Sequence, residues 1–426
     1  MRNNKILQTL AVRPFLFLLI SEFFSQIAIN AFNFILVIIA FTVVNSNTAV
    51  SGVVLAFILP SLLFGILAGV IVDKKNKRNV LVLTNIIRAL FVIPLALLHF
   101  NIFIIYILTF IVATVTQFYI PAETPIIPRL VKKELLLSAN ALFGMGLYAS
   151  IFIAYALSGP MLLFFGKTNI FIFLSVLFLI SGLFAYLIDF KENIHKTISP
   201  KEIIADMSIP KEIKIAISIM AKTKVIYRAL FLMTLAQIII LVLATIGPGY
   251  AEHILKIKVE DFPLIFVTPA IFGIALGAVI IGSFLHRVAI SKLTKVGLVI
   301  IGISILLLPF GSSFENREIV QTINFYLPHI LKINGFHILV FLAFFLGFGN
   351  AFVFIPANTT LQQETSDEFR GKVYGASSTL VGLFSFLPII LAGSLADLIG
   401  VKGVLTGIGI IVLAIAAIRI VFAKGE

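Results

Sequence analysis

Long apolar runs alternate along the chain with short polar breaks, and each run is near the ~20 residues that an α-helix needs to cross a bilayer. Read between the breaks, the pattern predicts twelve helices, near residues 14–44, 48–72, 79–99, 102–127, 136–165, 168–189, 226–250, 261–285, 292–311, 335–360, 371–396 and 400–422. Connections such as His99-Phe100-Asn101, Gly166-Lys167-Thr168 and Gly400-Val401-Lys402-Gly403 are so short that the helices they join must be antiparallel. The expected fold is an all-α membrane protein with twelve transmembrane helices in two six-helix halves, 1–189 and 226–426. A polar central loop over 190–225 divides them. The first apolar stretch is long and lacks a small-residue cleavage site after it, so it reads as a retained helix rather than a signal peptide.

Composition agrees with that pattern. Of 426 residues, 60% are hydrophobic and 12% charged, whereas soluble domains carry about a quarter charged residues. With no cysteine, disulfides, zinc–thiolate sites and Cys nucleophiles are excluded. With no tryptophan either, tyrosine and the 42 phenylalanines must supply any interfacial aromatic belt.

The net charge of +13 sets orientation rather than pointing to nucleic acid. Lys167, Lys256, Lys258, Arg317, Lys332 and Lys402 fall on one side and Arg88 lies inside the third span. The other 25 of the 32 basic residues fall on the opposite side. That bias places both termini in the cytoplasm and predicts a multi-pass protein of the cell membrane. In the central loop, Ser199-Pro200-Lys201-Glu202 reads as a helix start, and a second basic, Ile-rich helix begins over 208–212. Both suit helices lying at the membrane surface.

The halves repeat. Ile120-Pro121-Ala122-Glu123-Thr124 closes span four, and Ile355-Pro356-Ala357-Asn358-Thr359 closes span ten. A weaker correspondence relates Gly69–Asp73 to Gly282–His286. Two related six-helix halves are the organisation of a secondary transporter, with the substrate near the midplane.

After span two stand Gly69, Asp73, Lys74, Asn76, Lys77 and Arg78. This loop resembles the signature loop of the major facilitator superfamily, with Asn76 where that family has glycine. Asn tolerates left-handed backbone better than other non-Gly residues, so the same turn is expected. The resemblance implies a cytoplasmic gate of Gly69, Asp73, Lys74, Lys77 and Arg78. Further strings are similar to the drug-exporter branch that includes macrolide and siderophore exporters. These are Asn85-Ile86-Ile87-Arg88-Ala89-Leu90, the stretch from Pro121 through Leu142, and Arg370-Gly371-Lys372-Val373-Tyr374-Gly375. There are departures. Gly159-Pro160 is followed by Met161, Leu162 and Leu163 instead of the paired glycines of the antiporter motif. Span four lacks the arginine of many family antiporters, and Asn30 stands where the branch often has an acid.

The resemblance implies that spans one, four, seven and ten line a cavity. Glu22, Gln26, Asn30 and Asn33 follow one another at i, i+4, i+8 and i+11, within roughly 80° of arc on a helix. Gln117 in span four, Gln237 in span seven, and Asn350 and Asn358 in span ten are the other candidates for the substrate and proton pathway. The alternative reading of such residues is polar glue between helices. Glu22 is the sharpest candidate, because an acid inside a span is costly and faces function by default. It is a candidate proton or cation site. Arg88, at membrane depth, is expected to serve structure, paired with an acid such as Glu123 or snorkelling to the headgroups, and Gly159 and Pro160 are expected to serve packing and bending.

No nucleotide-binding loop, clustered acids or helical His pair is present, so an enzyme, a cofactor and a metal site are not expected. The function expected is secondary transport by alternating access: efflux of hydrophobic or amphipathic small molecules, in the manner of a multidrug antiporter coupled to protons. A lipid or lysolipid transporter and a metabolite facilitator of the same fold are the alternatives. The expected partners are the small-molecule substrate, membrane lipid and protons, with no nucleic acid, and the chain is expected to act as a monomer.

Overall fold

The structure is a computed structural model that describes residues 5–73, 75–189, 224–285, 288–310, 335–365 and 367–422. Among these residues every regular element is helical. The expected surface helices of the central loop lie outside them.

After a short leading helix, Lys5–Leu10, come α1 (Arg13–Val44), α2 (Asn47–Asp73), α3 (Lys77–Val92, continued by Leu95–Leu98) and α4 (Ile102–Glu123). A single helical run, Leu136–Tyr186, is two helices joined at Gly166, whose φ of 72° breaks the helix. We call its arms α5 (136–165) and α6 (167–186). The second half holds α7 (Lys224–Gly249), α8 (Thr268–Ser283), α9 (Ile290–Leu307), α10 (Gly335–Glu364), α11 (Asp367–Ile399) and α12 (Val401–Phe422). Among the described residues eleven helical runs are long and apolar enough to cross a membrane, and the break at Gly166 makes the fifth of them, Lys133–Tyr186, into two crossings. The protein is therefore an integral multi-pass membrane protein with twelve crossings.

Local chemistry sets the turns. Asn101 Oδ1 accepts from the amides of Phe103 and Ile104, at 3.0 and 3.3 Å, and so starts α4. Gly166 and Gly400 both have left-handed backbone, at φ 72° and 83°, and each turns the fifth helix of its half into the sixth. Asn45 and Lys256, the non-glycine residues with positive φ among the described residues, sit between the first and second helices of each half. The internal repeat is thus written in the backbone as well as in the Ile-Pro-Ala segments. Asn76 departs from expectation. Its backbone is extended (φ −64°, ψ 114°), and its side chain accepts from the Asn79 amide at 3.1 Å. It caps α3 and needs no left-handed turn.

The described chain forms two compact units, one of 1–44 and 52–214, the other of 45–51 and 215–426. In the first, α1 packs along α5 and α6, and α3 packs on α4 and α6. Ser21 and Ser181 exchange hydrogen bonds: each hydroxyl donates to the other's carbonyl, at 2.9 and 2.7 Å. In the second unit α10 packs on α7, α8 and α9. Glycine permits this closeness, since a Cβ on Gly347 would stand 1.8 Å from the Ala270 carbonyl oxygen.

Candidate functional site

The first unit buries a polar cluster built from one-turn pairs on three helices. α1 supplies Glu22 and Ser25, α3 supplies Asn85 and Arg88, and α4 supplies Tyr119 and Glu123. Spacings of three or four residues put both members of each pair on one face. Glu22, Ser25, Asn85 and Arg88 are fully buried, Tyr119 and Glu123 nearly so.

Tyr119 Oη donates to Glu22 Oε2 at 2.9 Å. Arg88 Nη2 donates to Asn85 Oδ1 at 2.8 Å and to Ser25 Oγ at 3.1 Å, and Arg88 Nε donates to the Thr84 carbonyl at 3.4 Å. The guanidinium also lies 4.3 Å from the Tyr119 ring centre and 4.8 Å from that of Phe178 on α6. Arg88 therefore does not snorkel. It is enclosed on all sides, in the electrostatic field of both Glu22 and Glu123. The sequence offers Arg88 two partners, an acid such as Glu123 or the headgroups, and places Glu22 on a separate stripe. The structure joins all three.

The positions that match Arg88 and Glu123 in the second half carry no charge. In the second half the Ile-Pro-Ala register puts Phe354 opposite Tyr119 and Asn358 opposite Glu123. Carrying the Gly69–Gly282 register onward puts Leu298 opposite Asn85 and Ile301 opposite Arg88, both fully buried apolar residues. The positions of Asn85 and Arg88 thus pack with hydrocarbon in the second half, while that of Glu123 keeps a half-buried amide.

The remaining candidates lie elsewhere. Gln26, Asn30 and Asn33 are half-buried, whereas Glu22 on the same stripe is enclosed. Asn30 Nδ2 donates to the Gln26 carbonyl at 2.8 Å and to its Oε1 at 3.1 Å. Gln117 Nε2 donates to the Ala113 carbonyl at 3.4 Å, and both Gln117 and Gln237 are half-buried. Asn350 Nδ2 crosses from α10 to the Ala236 carbonyl of α7 at 3.2 Å, which ties helices together; Asn358 is half-buried. Of the gate residues, Gly69 has open space beside it and Lys77 is buried. Arg78 bonds the Tyr186 carbonyl and lies 4.9 Å from the Tyr186 ring centre. Lys74 and the Asp73 side chain are outside the described residues. Gly159 is buried and Pro160 lies within α5.

Ser25, Asn85 and Tyr119 were missed as site residues, and Glu123 entered only as a partner for Arg88. The signal that could have found them is that each shares a helix face, one turn away, with another cluster member.

A family model described as the Major Facilitator Superfamily matches residues 18–387. No curated protein matches the sequence. Among solved structures, the chain is similar to the nucleoside transporter NupG, with TM-score 0.72 and 14% identity over 97% of this chain and 100% of that one. It is also similar to a POT family transporter in complex with a thioalcohol-conjugated peptide, with TM-score 0.71 and 13% identity over 96% of each chain. The POT family transporter PepTSo gives a TM-score of 0.67 at 13% identity, over 97% of this chain and 98% of that one. At such identities the likeness concerns the fold alone.

Proposed function

The chain belongs to the Major Facilitator Superfamily, a family of membrane transporters, and on that premise we propose that it exports hydrophobic or amphipathic small molecules by alternating access, driven by a proton gradient. The observation that carries the coupling is Glu22: a carboxyl fully buried in a membrane-crossing helix and held by Tyr119. Such an acid is expensive in hydrocarbon and earns its place by function. The repeat supports the reading, because the second half has buried Leu298 and Ile301 at the positions of Asn85 and Arg88 and an uncharged Asn358 at that of Glu123.

The substrate class rests on the half-buried amides of α1. Gln26, Asn30 and Asn33 offer hydrogen bonds without fixed charge among many phenylalanines, a surface suited to amphipathic cargo. The gate of Gly69, Asp73, Lys74, Lys77 and Arg78 and the cytoplasmic placement of both termini belong to the same reading.

The test is transport by the full chain in proteoliposomes, offered ethidium, tetraphenylphosphonium and a lysophospholipid with and without an imposed proton gradient. Gradient-driven movement of the lipophilic cations that Glu22→Gln abolishes is the expected result. Movement of the lysolipid alone, indifferent to the gradient, overturns it in favour of a lipid transporter.

A further inference from the structure

Three buried polar atoms in the first unit lack any hydrogen-bond partner and belong to one cluster: Glu22 Oε1, Glu123 Oε2 and an Arg88 terminal nitrogen, Nη1. Tyr119 links the two acids: its hydroxyl donates to Glu22 Oε2 at 2.9 Å, and Glu123 follows it by one turn on the same face of α4. Burial makes the charge count of the cluster decisive. Two carboxyls and one guanidinium, all buried, are neutral when a single proton is present. Without it the cluster carries a net negative charge, and with two protons a net positive charge, both disfavoured where water is excluded.

Among the described residues, the ionisable groups facing the carboxyls are Arg88 from α3 and Tyr119 from α4. α6 presents the Phe178 ring to the guanidinium, and α1 presents Ser25.

We propose that Glu22 and Glu123 hold one proton between them, that Arg88 is the positioning residue whose charge fixes that number at one, and that this shared proton is the one exchanged during transport. The exchange breaks one carboxyl O–H bond. The electron pair stays on the carboxylate and water takes the proton, so no oxidant or reductant is involved. The last clause of the proposal rests on the transport reading above; the first two do not.

The test is therefore made without substrate. Infrared spectra of the full chain in nanodiscs, in H2O and D2O at neutral pH, report a buried protonated carboxyl by its C=O stretch and its isotope shift. The wild type is expected to show one such group, and Glu22→Gln and Glu123→Gln each none, since the remaining carboxyl then ionises against Arg88. Arg88→Met is expected to show two and Arg88→Lys one. Absence of the band from the wild type overturns the proposal whatever the variants do. So does its survival in either glutamine variant, or a single band in Arg88→Met. A wrong substrate class leaves every one of these outcomes unchanged.

Discussion

Asp397, near the end of α11, binds Thr48 twice through one oxygen: the Thr48 amide donates to Oδ2 at 2.9 Å and the Thr48 hydroxyl at 2.7 Å. The same carboxylate accepts from the Ser46 hydroxyl at 2.6 Å, and from the Asn47 amide and side chain at 2.8 and 2.9 Å. It thus serves as the cap of α2 from a helix some 350 residues away in sequence. One turn on, Ser51 Oγ donates to the Ile389 carbonyl at 3.0 Å, and a Cβ on Gly393 would collide with Ser51 Oγ. This explains why residues 45–51 group with the second unit rather than with the rest of α2.

Asp397→Ala should cost about 1–2 kcal/mol of stability, the usual size of a lost helix cap with an anion at the positive end of the helix. Asp397→Asn should cost less, because its amide oxygen still accepts. Thermal unfolding in detergent checks both. Equal stability of the alanine variant and the wild type would mean that water replaces the carboxylate fully.

Two glycines should respond in opposite directions. In α10, Gly347→Ala drives a methyl into the Ala270 backbone and should cost about 1–3 kcal/mol, or more if α8 cannot yield. In α5, Gly144 has nothing within 4 Å of where a Cβ would stand, so Gly144→Ala should stabilise by about 0.5–1 kcal/mol through helix propensity alone. If Gly144 serves movement, that gain comes with slower transport, which a side-by-side rate measurement reveals.

Span positions were legible because lipid imposes one rule on the whole chain: about twenty apolar residues, then a break. The turn at Gly166 was readable for the same reason, although the helix resumes after a single residue there. The cluster was legible only in part. Glu22 and Arg88 stand out as charges in apolar surroundings, but Tyr119 and Ser25 are ordinary membrane-helix residues until the packing of α1, α3 and α4 brings them to the charges. Glu123 was readable as a partner for Arg88 but not as a neighbour of Glu22, because it lies at a helix end, where an acid normally reaches water. Asp397 hid in the same way, and nothing in its local sequence shows that its partner is the start of α2.

Tyr119→Phe keeps the ring against Arg88 and removes only the hydroxyl that holds Glu22. A buried hydrogen bond of this kind is worth about 1–1.5 kcal/mol, so gradient-driven transport should fall roughly fivefold to tenfold while the fold survives. Unchanged transport at unchanged expression would show that Glu22 needs no orientation by Tyr119.

The cluster's charges should behave as a set. Arg88→Met leaves two acids facing each other without a cation, and breaking a buried pair from one side costs about 3–5 kcal/mol. Because the acids can escape the penalty by binding a second proton, that cost should be largest at alkaline pH and shrink on acidification. Replacing both acids as well, with Glu22→Gln and Glu123→Gln, removes the charge to be compensated. The triple variant should recover most of the lost stability and lose its dependence on pH, so the substitutions are far from additive. Leu298 and Ile301 set the precedent, since the second half packs the corresponding positions without charge. Stability of the single and triple variants, followed from mildly acidic to alkaline pH, decides the matter: additive losses that ignore pH would mean that Arg88 packs on Tyr119 and Phe178 and neutralises nothing.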